Sequence, residues 1–272
     1  MKDIRIAAIT CRSPVGEIDR NLTETVDWTL KAKKAGAELV CFPELNITGY
    51  CNRPEMAGVA QPLPGRVSIE LSGIAAREEM IIMAGMALQN PQGLPYAGHC
   101  VFFPDGRTEI YRKLHIAPPE KSTYAPGKDV PVFHTKDFTF GIQMCFDAHF
   151  PELSAAMTAR GAEVIFMPHA SPRGNPEEKH SSWLRHLTAR AFDNSIFVVA
   201  CNQVGENCNG LNFPGNALVI GPSGEVLDKD THPDASMLIA DLRAADLEAV
   251  RSHPMRHFFP HRRTDLYDTF YK

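Results

Sequence analysis

The sequence predicts an α/β fold with two mixed sheets, and three observations carry that expectation. Short apolar runs rich in Ile, Val and Phe recur along the chain, stretches with helix-face spacing lie between several of them, and two turn sequences each join a pair of extended runs. The strand-like runs are IRIAAIT, ELVCF, MIIMAGMAL, HCVFF, FTFGIQMCF, AEVIFMP, SIFVVA, NALVI and SMLIA. Leu22, Val26 and Leu30 mark a first helix that stops at Gly36, and Val67, Leu71 and Ile74 mark a second. A third starts at Pro151, a favoured first helical position because the N–H that proline lacks has no intrahelical partner there, and it stops at Gly161. A fourth covers 177–194. Asp105-Gly106 and Pro222-Ser223-Gly224 separate extended runs, which marks hairpins and hence some antiparallel pairing. The stretches ending FPE and MPH resemble each other and hint at an internal duplication.

Composition narrows the function classes. The chain has 272 residues, 44% of them hydrophobic, which is ample for a large core. No low-complexity tract or long linker divides it, so residues 1–272 are expected to form one domain. A formal charge of -4 provides no basic field for phosphate backbones or anionic lipid, which argues against nucleic acid as a partner. No apolar run approaches the roughly 20 residues that span a bilayer, and the amino end enters a strand-like segment directly. No membrane association and a cytoplasmic location are therefore expected. The seven cysteines include no CxxC pair, so neither a disulfide framework nor a zinc spacing is visible. Cys11, Cys41, Cys100 and Cys201 lie in or beside apolar runs and read as small buried hydrophobes.

Three other residues carry chemical meaning together. In GIQMCFDAHFPE, Cys145 stands where an apolar strand gives way to a polar turn before the helix at Pro151, near backbone N–H groups that such a turn leaves unpaired. In LVCFPE, Glu44 ends a second apolar strand, where desolvation raises a carboxyl pKa towards neutrality. Lys113, in IYRKLHIAPPE, lies in a partly apolar extended run, and a buried cation there demands an anionic partner. Each residue alone has an ordinary structural reading. Three strand ends converging at one sheet edge would instead make a nucleophile, a base and a cation available at one place.

In FPELNITGY, YRKLHIAPPE and CFDAHFPE, in that order, the sequence resembles the nitrilase superfamily, and the likeness continues through GAEVIFMPHASP, ARAFDNSIFVVACNQVG and GPSGEVLD. The resemblance implies a four-layer α-β-β-α sandwich of two mixed sheets. It implies Glu44 as general base, Lys113 as the transition-state lysine and Cys145 as nucleophile, with Glu120 positioning substrate or orienting the triad. Tyr50, Phe146, His149 and His169 match or adjoin pocket positions. The implied reaction is cysteine-dependent hydrolysis of a small amide or N-carbamoyl compound through a thioester, with no cofactor and no metal. Phe146-Asp147 stands where true nitrilases carry Trp-Glu, which favours amides over nitriles. Ala148 and His149 stand where carbamoyl-amino-acid hydrolases place arginines, although Arg173 offers a cation from another loop.

Two other readings compete with this one. His149 or His169 would make a Cys–His hydrolase but leaves Glu44 and Lys113 unexplained, and a silent binding or scaffolding module leaves the whole triad unexplained. Finally, HFFPHRRTDLY places Phe258, Phe259 and Tyr267 after the last helical pattern, too much aromatic surface for a free tail. Residues 251–272 are expected to pack at a subunit interface of a homodimer or larger assembly.

Overall fold

In a computed structural model that describes residues 1–267, the chain builds two six-stranded sheets in succession. The first holds β1 (Ile4–Thr10), β2 (Leu39–Cys41), β3 (Ile81–Leu88), β4 (Tyr96–Phe102) and β5 (Thr108–Arg112). The second holds β6 (Phe133–His134), β7 (Thr139–Ile142), β8 (Val164–His169) and β9 (Phe197–Asn202). A small separate hairpin follows, β10 (Val204–Glu206) with β11 (Asn212–Pro214). The chain then adds β12 (Ala217–Ile220) and β13 (Val226–Asp230) to the second sheet. It returns to the first with β14 (Ser236–Leu242), antiparallel to β1.

The orders are β14-β1-β2-β3-β4-β5 and β6-β7-β8-β9-β12-β13. Each sheet runs through one antiparallel, two parallel and two antiparallel pairings. The similar stretches ending FPE and MPH therefore leave the third strand of each sheet. Gly106 and Gly224 take left-handed φ of +86° and +83° at the two turns read as hairpins.

Side-chain alternation divides the first sheet between two cores. Ala7, Ile9, Val40, Phe42, Ile82 and Ala84 pack with Leu22, Leu71 and Ile74 of α1 (Ile18–Lys34) and α2 (Arg66–Arg77). Ile6, Ala8, Leu39, Cys41 and Met83 turn the other way, into the core shared with the second sheet. The far face of that sheet is covered by α3 (Pro151–Ala159) and α4 (Pro176–Asn194), which contribute Leu153, Met157, Trp183 and Leu187. The result is four layers, α-β-β-α, as the resemblance implied. Helix α4 starts at a capping box in which Asn175 Oδ1 accepts from Glu178 N at 2.9 Å and the Glu178 carboxylate accepts from Asn175 N at 3.1 Å.

After α5 (Ala244–Arg251) the chain lies beside α4, where Phe258 meets Phe192 with ring centroids 5.5 Å apart. The expected tail runs on to residue 272, and its last part, 268–272, lies outside the described residues. Among the described residues no helix is long and apolar enough to cross a membrane.

One close approach fixes the loop after β2. Gly85, in β3, receives the backbone of Leu45 on its bare Cα: a Cβ there would collide with Leu45 N and stand 3.0 Å from His99 Nδ1 and 3.1 Å from Leu45 Cα. Gly85 N donates to Asn46 Oδ1 at 2.8 Å and Gly85 O accepts from Ile47 N at 2.9 Å, so the loop is clamped to the strand on both sides. Gly85→Ala is predicted to destabilise the protein by about 1–3 kcal/mol through this overpacking. Urea unfolding would measure it, and a loss below about 0.5 kcal/mol, the range of an ordinary surface change, would contradict the clamp.

Candidate active site

Glu44 leaves the end of β2 through Phe42 and Pro43. Its backbone carbonyl accepts from Gln203 Nε2 at 2.8 Å, and the next residue, Leu45, sits at a left-handed φ of +54°. The carboxylate is fully buried. Oε1 accepts from Lys113 Nζ at 2.7 Å and Oε2 from Ala170 N at 3.0 Å, so the end of β8 meets the end of β2 on this side chain.

Lys113 follows β5 directly, with its N–H on Ala97 O at 2.9 Å. It is 1% exposed. Its ammonium lies 3.0 Å from Oε1 and 2.9 Å from Oε2 of Glu120, which ends a short helical turn, Pro118–Glu120. Glu120 in turn accepts from Tyr50 Oη at 2.8 Å and from Ala117 N at 3.1 Å. Two buried carboxylates thus share one buried ammonium. Burial raises the Glu44 pKa, Lys113 lowers it, the Glu120 charge raises it again, and the outcome is about 7. For Lys113, burial works against the charge but the two carboxylates outweigh it, holding the ammonium above its usual range.

Strand β7 ends at Ile142, and Cys145 opens a turn of helix, Cys145–His149, with φ at +43°. A non-glycine residue there costs on the order of 1–3 kcal/mol, so the surroundings must hold it. Asp147 does much of this: Oδ2 accepts from Tyr111 Oη at 2.7 Å and Met144 N at 3.1 Å, while Oδ1 meets both the N–H and Nδ1 of His115 at 2.8 Å. Arg190, from α4, donates to the carbonyls of Ala148 at 3.0 Å and His149 at 3.1 Å. Burial and the nearby Glu44 charge push the Cys145 thiol above its usual range, against the opposing pull of Lys113. The resting group is a thiol, and it needs a base to become a nucleophile.

Glu120, Tyr50, Cys145, Phe146, His149 and Arg173 line one cleft of about 1020 Å³. The His149 ring stacks on His186 at 4.4 Å. His169 is a correction to the sequence-based pocket. It is buried, its Nδ1 pairs with Met167 O at 2.7 Å and its ring lies 4.4 Å from Trp183, so it packs behind the wall that Ala170 and Ser171 form. The Cys–His reading loses that residue. Sequence reasoning missed Asp147, Tyr111, His115, Gln203 and Arg190 as supports. Only Asp147 carried a signal, an acid two positions after the cysteine. Among the described residues no three His, Cys, Asp or Glu side chains gather in a way that could hold a metal ion.

Comparison with known proteins bears on this arrangement. The carbon-nitrogen hydrolase family model matches residues 5–252. A nitrilase of Pyrococcus abyssi is 30% identical over 97% of this chain and 99% of its own. An N-carbamoylputrescine amidase of Oryza sativa subsp. japonica is 29% identical over 87% of this chain and 84% of its own. Among solved structures, a glutamate-to-leucine mutant of the amidase from Nesterenkonia sp. AN1, carrying the acetamide moiety of fluoroacetamide on its active-site cysteine, superposes with a TM-score of 0.84. It has 26% identity over 98% of this chain and 97% of that one.

Proposed function

Since the chain belongs to the carbon-nitrogen hydrolase family, within the nitrilase superfamily, we propose that Cys145, Glu44 and Lys113 hydrolyse a small amide or N-carbamoyl compound through a thioester. The observation that supports this reading is the buried Glu44 carboxylate, poised near neutrality and held by Lys113 at 2.7 Å, behind the cleft that Glu120 and Cys145 line. Glu44 takes the Sγ proton, and the sulfur attacks the carbonyl carbon. The developing oxyanion is met by the Lys113 ammonium and the Phe146 N–H, an early amide of a helical turn, which has no acceptor within that turn. Collapse breaks the C–N bond as protonated Glu44 gives its proton to the leaving nitrogen. Glu44 then deprotonates a water that attacks the thioester, which releases the acid and returns the thiol. Glu120, fixed by Tyr50 and Ala117, holds Lys113 in place and presents a carboxylate at the cleft wall. Phe146-Asp147 after the cysteine, where true nitrilases carry Trp-Glu, supports amides over nitriles.

A thioester is open to nucleophiles other than water. Hydroxylamine is predicted to divert turnover of a small amide into a hydroxamate, and Cys145→Ala to abolish both products while keeping the wild-type unfolding profile. Mass spectrometry of intact protein provides the adduct; turnover by Cys145→Ala would exclude the covalent route. The pH dependence follows from Glu44. It must be ionised to accept the proton, and its pKa is held up at about 7, so kcat/KM is expected to fall as pH drops through about 7. A limb centred near pH 4.5, the ordinary carboxylate value, would contradict a base whose pKa is held up by burial.

The reading includes self-association. Phe192 and Phe258 remain 45% and 43% exposed although they touch, and Met255, three residues before Phe258, is 75% exposed. Such a group of apolar surfaces beside α4 favours a second copy as cover. Light scattering at micromolar concentration is expected to give a dimer or larger species, and an active monomer would remove this part of the proposal.

A further inference from the structure

The inward face of α4 is marked by its buried side chains: Lys179, Trp183, Leu187, Arg190, Ala191 and Asn194. The first of these positions is held by a lysine that is 6% exposed. Its Nζ donates to Ser171 Oγ at 2.6 Å, and among the described residues it forms no ion pair, unlike Lys113 with its two carboxylates. The nearest acid in sequence, Glu178, is turned to the cap of α4. Lys179 also lies in the opening turns of α4, the positive end of the helix dipole, where a cation is opposed and an anion is favoured. Its charge is disfavoured by burial and by Arg173, and favoured by a thiolate at Cys145.

Ser171 and Arg173 line the same cleft as Cys145. Ser171 is fixed from behind, its N–H on Asn202 Oδ1 at 2.8 Å and its carbonyl accepting from Asn202 Nδ2 at 3.1 Å. A hydroxyl that accepts from an ammonium keeps its own hydrogen to donate onward, and the ammonium keeps two more. The pair therefore presents donors and a positive charge with no resident anion. We propose that Ser171 and Lys179, with Arg173, form a carboxylate-binding lobe, so the preferred substrates are amides or carbamoyl compounds that bear a second, anionic end. The carboxylate would supply the missing countercharge, and the scissile carbon would be held at Cys145. This rests on the reading of Cys145 as the nucleophile of an amide hydrolase.

Two amides of equal chain length separate the charge from the rest of the substrate: glutaramate, which ends in a carboxylate, and pentanamide, which ends in a methyl. The wild-type kcat/KM should favour glutaramate by at least roughly tenfold, and Lys179→Met should lower that ratio by roughly 10- to 100-fold, mainly through KM. Lys179→Arg should retain most of the ratio, and Ser171→Ala should lower it by a smaller factor. A wild-type enzyme indifferent to the carboxylate, or a Lys179→Met enzyme that loses both activities equally, would overturn the lobe and leave Lys179 a packing residue. If the wild type cleaves neither amide, the catalytic reading fails, but the lobe is still read by binding. Glutarate should then raise the thermal unfolding midpoint of the wild type and not of Lys179→Met, and no shift, or the same shift in both, would overturn it.

Discussion

The site depends on one buried cation. Two carboxylates within hydrogen-bond reach of each other's partner, both removed from water, could not both ionise alone, because desolvation and mutual repulsion favour their acids. Lys113 changes that balance: at 2.7 Å from Glu44 and about the same distance beyond from Glu120, it lets the trio carry a single net negative charge. The two acids are not equivalent. Glu120 has a phenol and a backbone amide besides the ammonium, while Glu44 has one amide and a charge that opposes a thiolate at Cys145. A cluster with one more carboxylate than ammonium, whose exchangeable proton sits near neutrality on Glu44, is a proton acceptor set beside a thiol that needs one. Removing the cation would leave two buried carboxylates uncompensated, which is why this ion group constrains the fold around it.

That constraint is met by the sandwich. Glu44 and Lys113 come from strand ends of the first sheet and Cys145 from a strand end of the second, so neither sheet alone carries the chemistry. The matching order of pairings sets the third strands, β2 and β8, in equivalent places, and the residues that follow them are joined directly by the Ala170 N–H on Glu44 Oε2. Cys41 and Cys201, with sulfurs 4.0 Å apart, belong to the core between the sheets. They are part of the packing that keeps the two layers in register, consistent with the plain hydrophobic role read from their sequence context.

Much of this was legible in the chain. Apolar runs with a helix between them gave the two sheets, because burial on both faces of a central strand requires continuous Val, Ile and Phe. Glu44, Lys113 and Cys145 were legible because charged or nucleophilic groups broke an apolar pattern at strand ends, whereas Glu120, in a helical turn after two prolines, was legible only through the resemblance. His169 was misread for a physical reason: a histidine at a strand end looks the same in sequence whether its ring meets the cleft or a carbonyl one turn of strand away, and the Met167 carbonyl and Trp183 decide it. Short strands such as β6, and the β10–β11 hairpin, have too few residues to display a period. Tyr111, His115 and Arg190 were invisible because their partner, the turn at Cys145, is distant in sequence and needs the tertiary fold to reach them.

The turn itself links stability to chemistry. A left-handed Cys145 lifts the thiol out of the strand line towards the cleft, and the strain is offset by bonds that lie wholly behind it, from Asp147 on one side and Arg190 on the other. Arg190 and Lys179 belong to one helix, separated by about 16 Å along its axis at the rise of an α-helix. Helix α4 therefore grips the Cys145 turn near its carboxyl end and, near its amino end, holds the Lys179 ammonium against the cleft-lining Ser171, as one element capped at Asn175. An anionic group drawn there would meet the helix through Lys179 and the loop after β8 through Ser171 and Arg173. A contact to a distant charge that is made equally before and during the reaction holds the substrate without lowering the barrier of the chemical step, which is why its loss would be felt in KM.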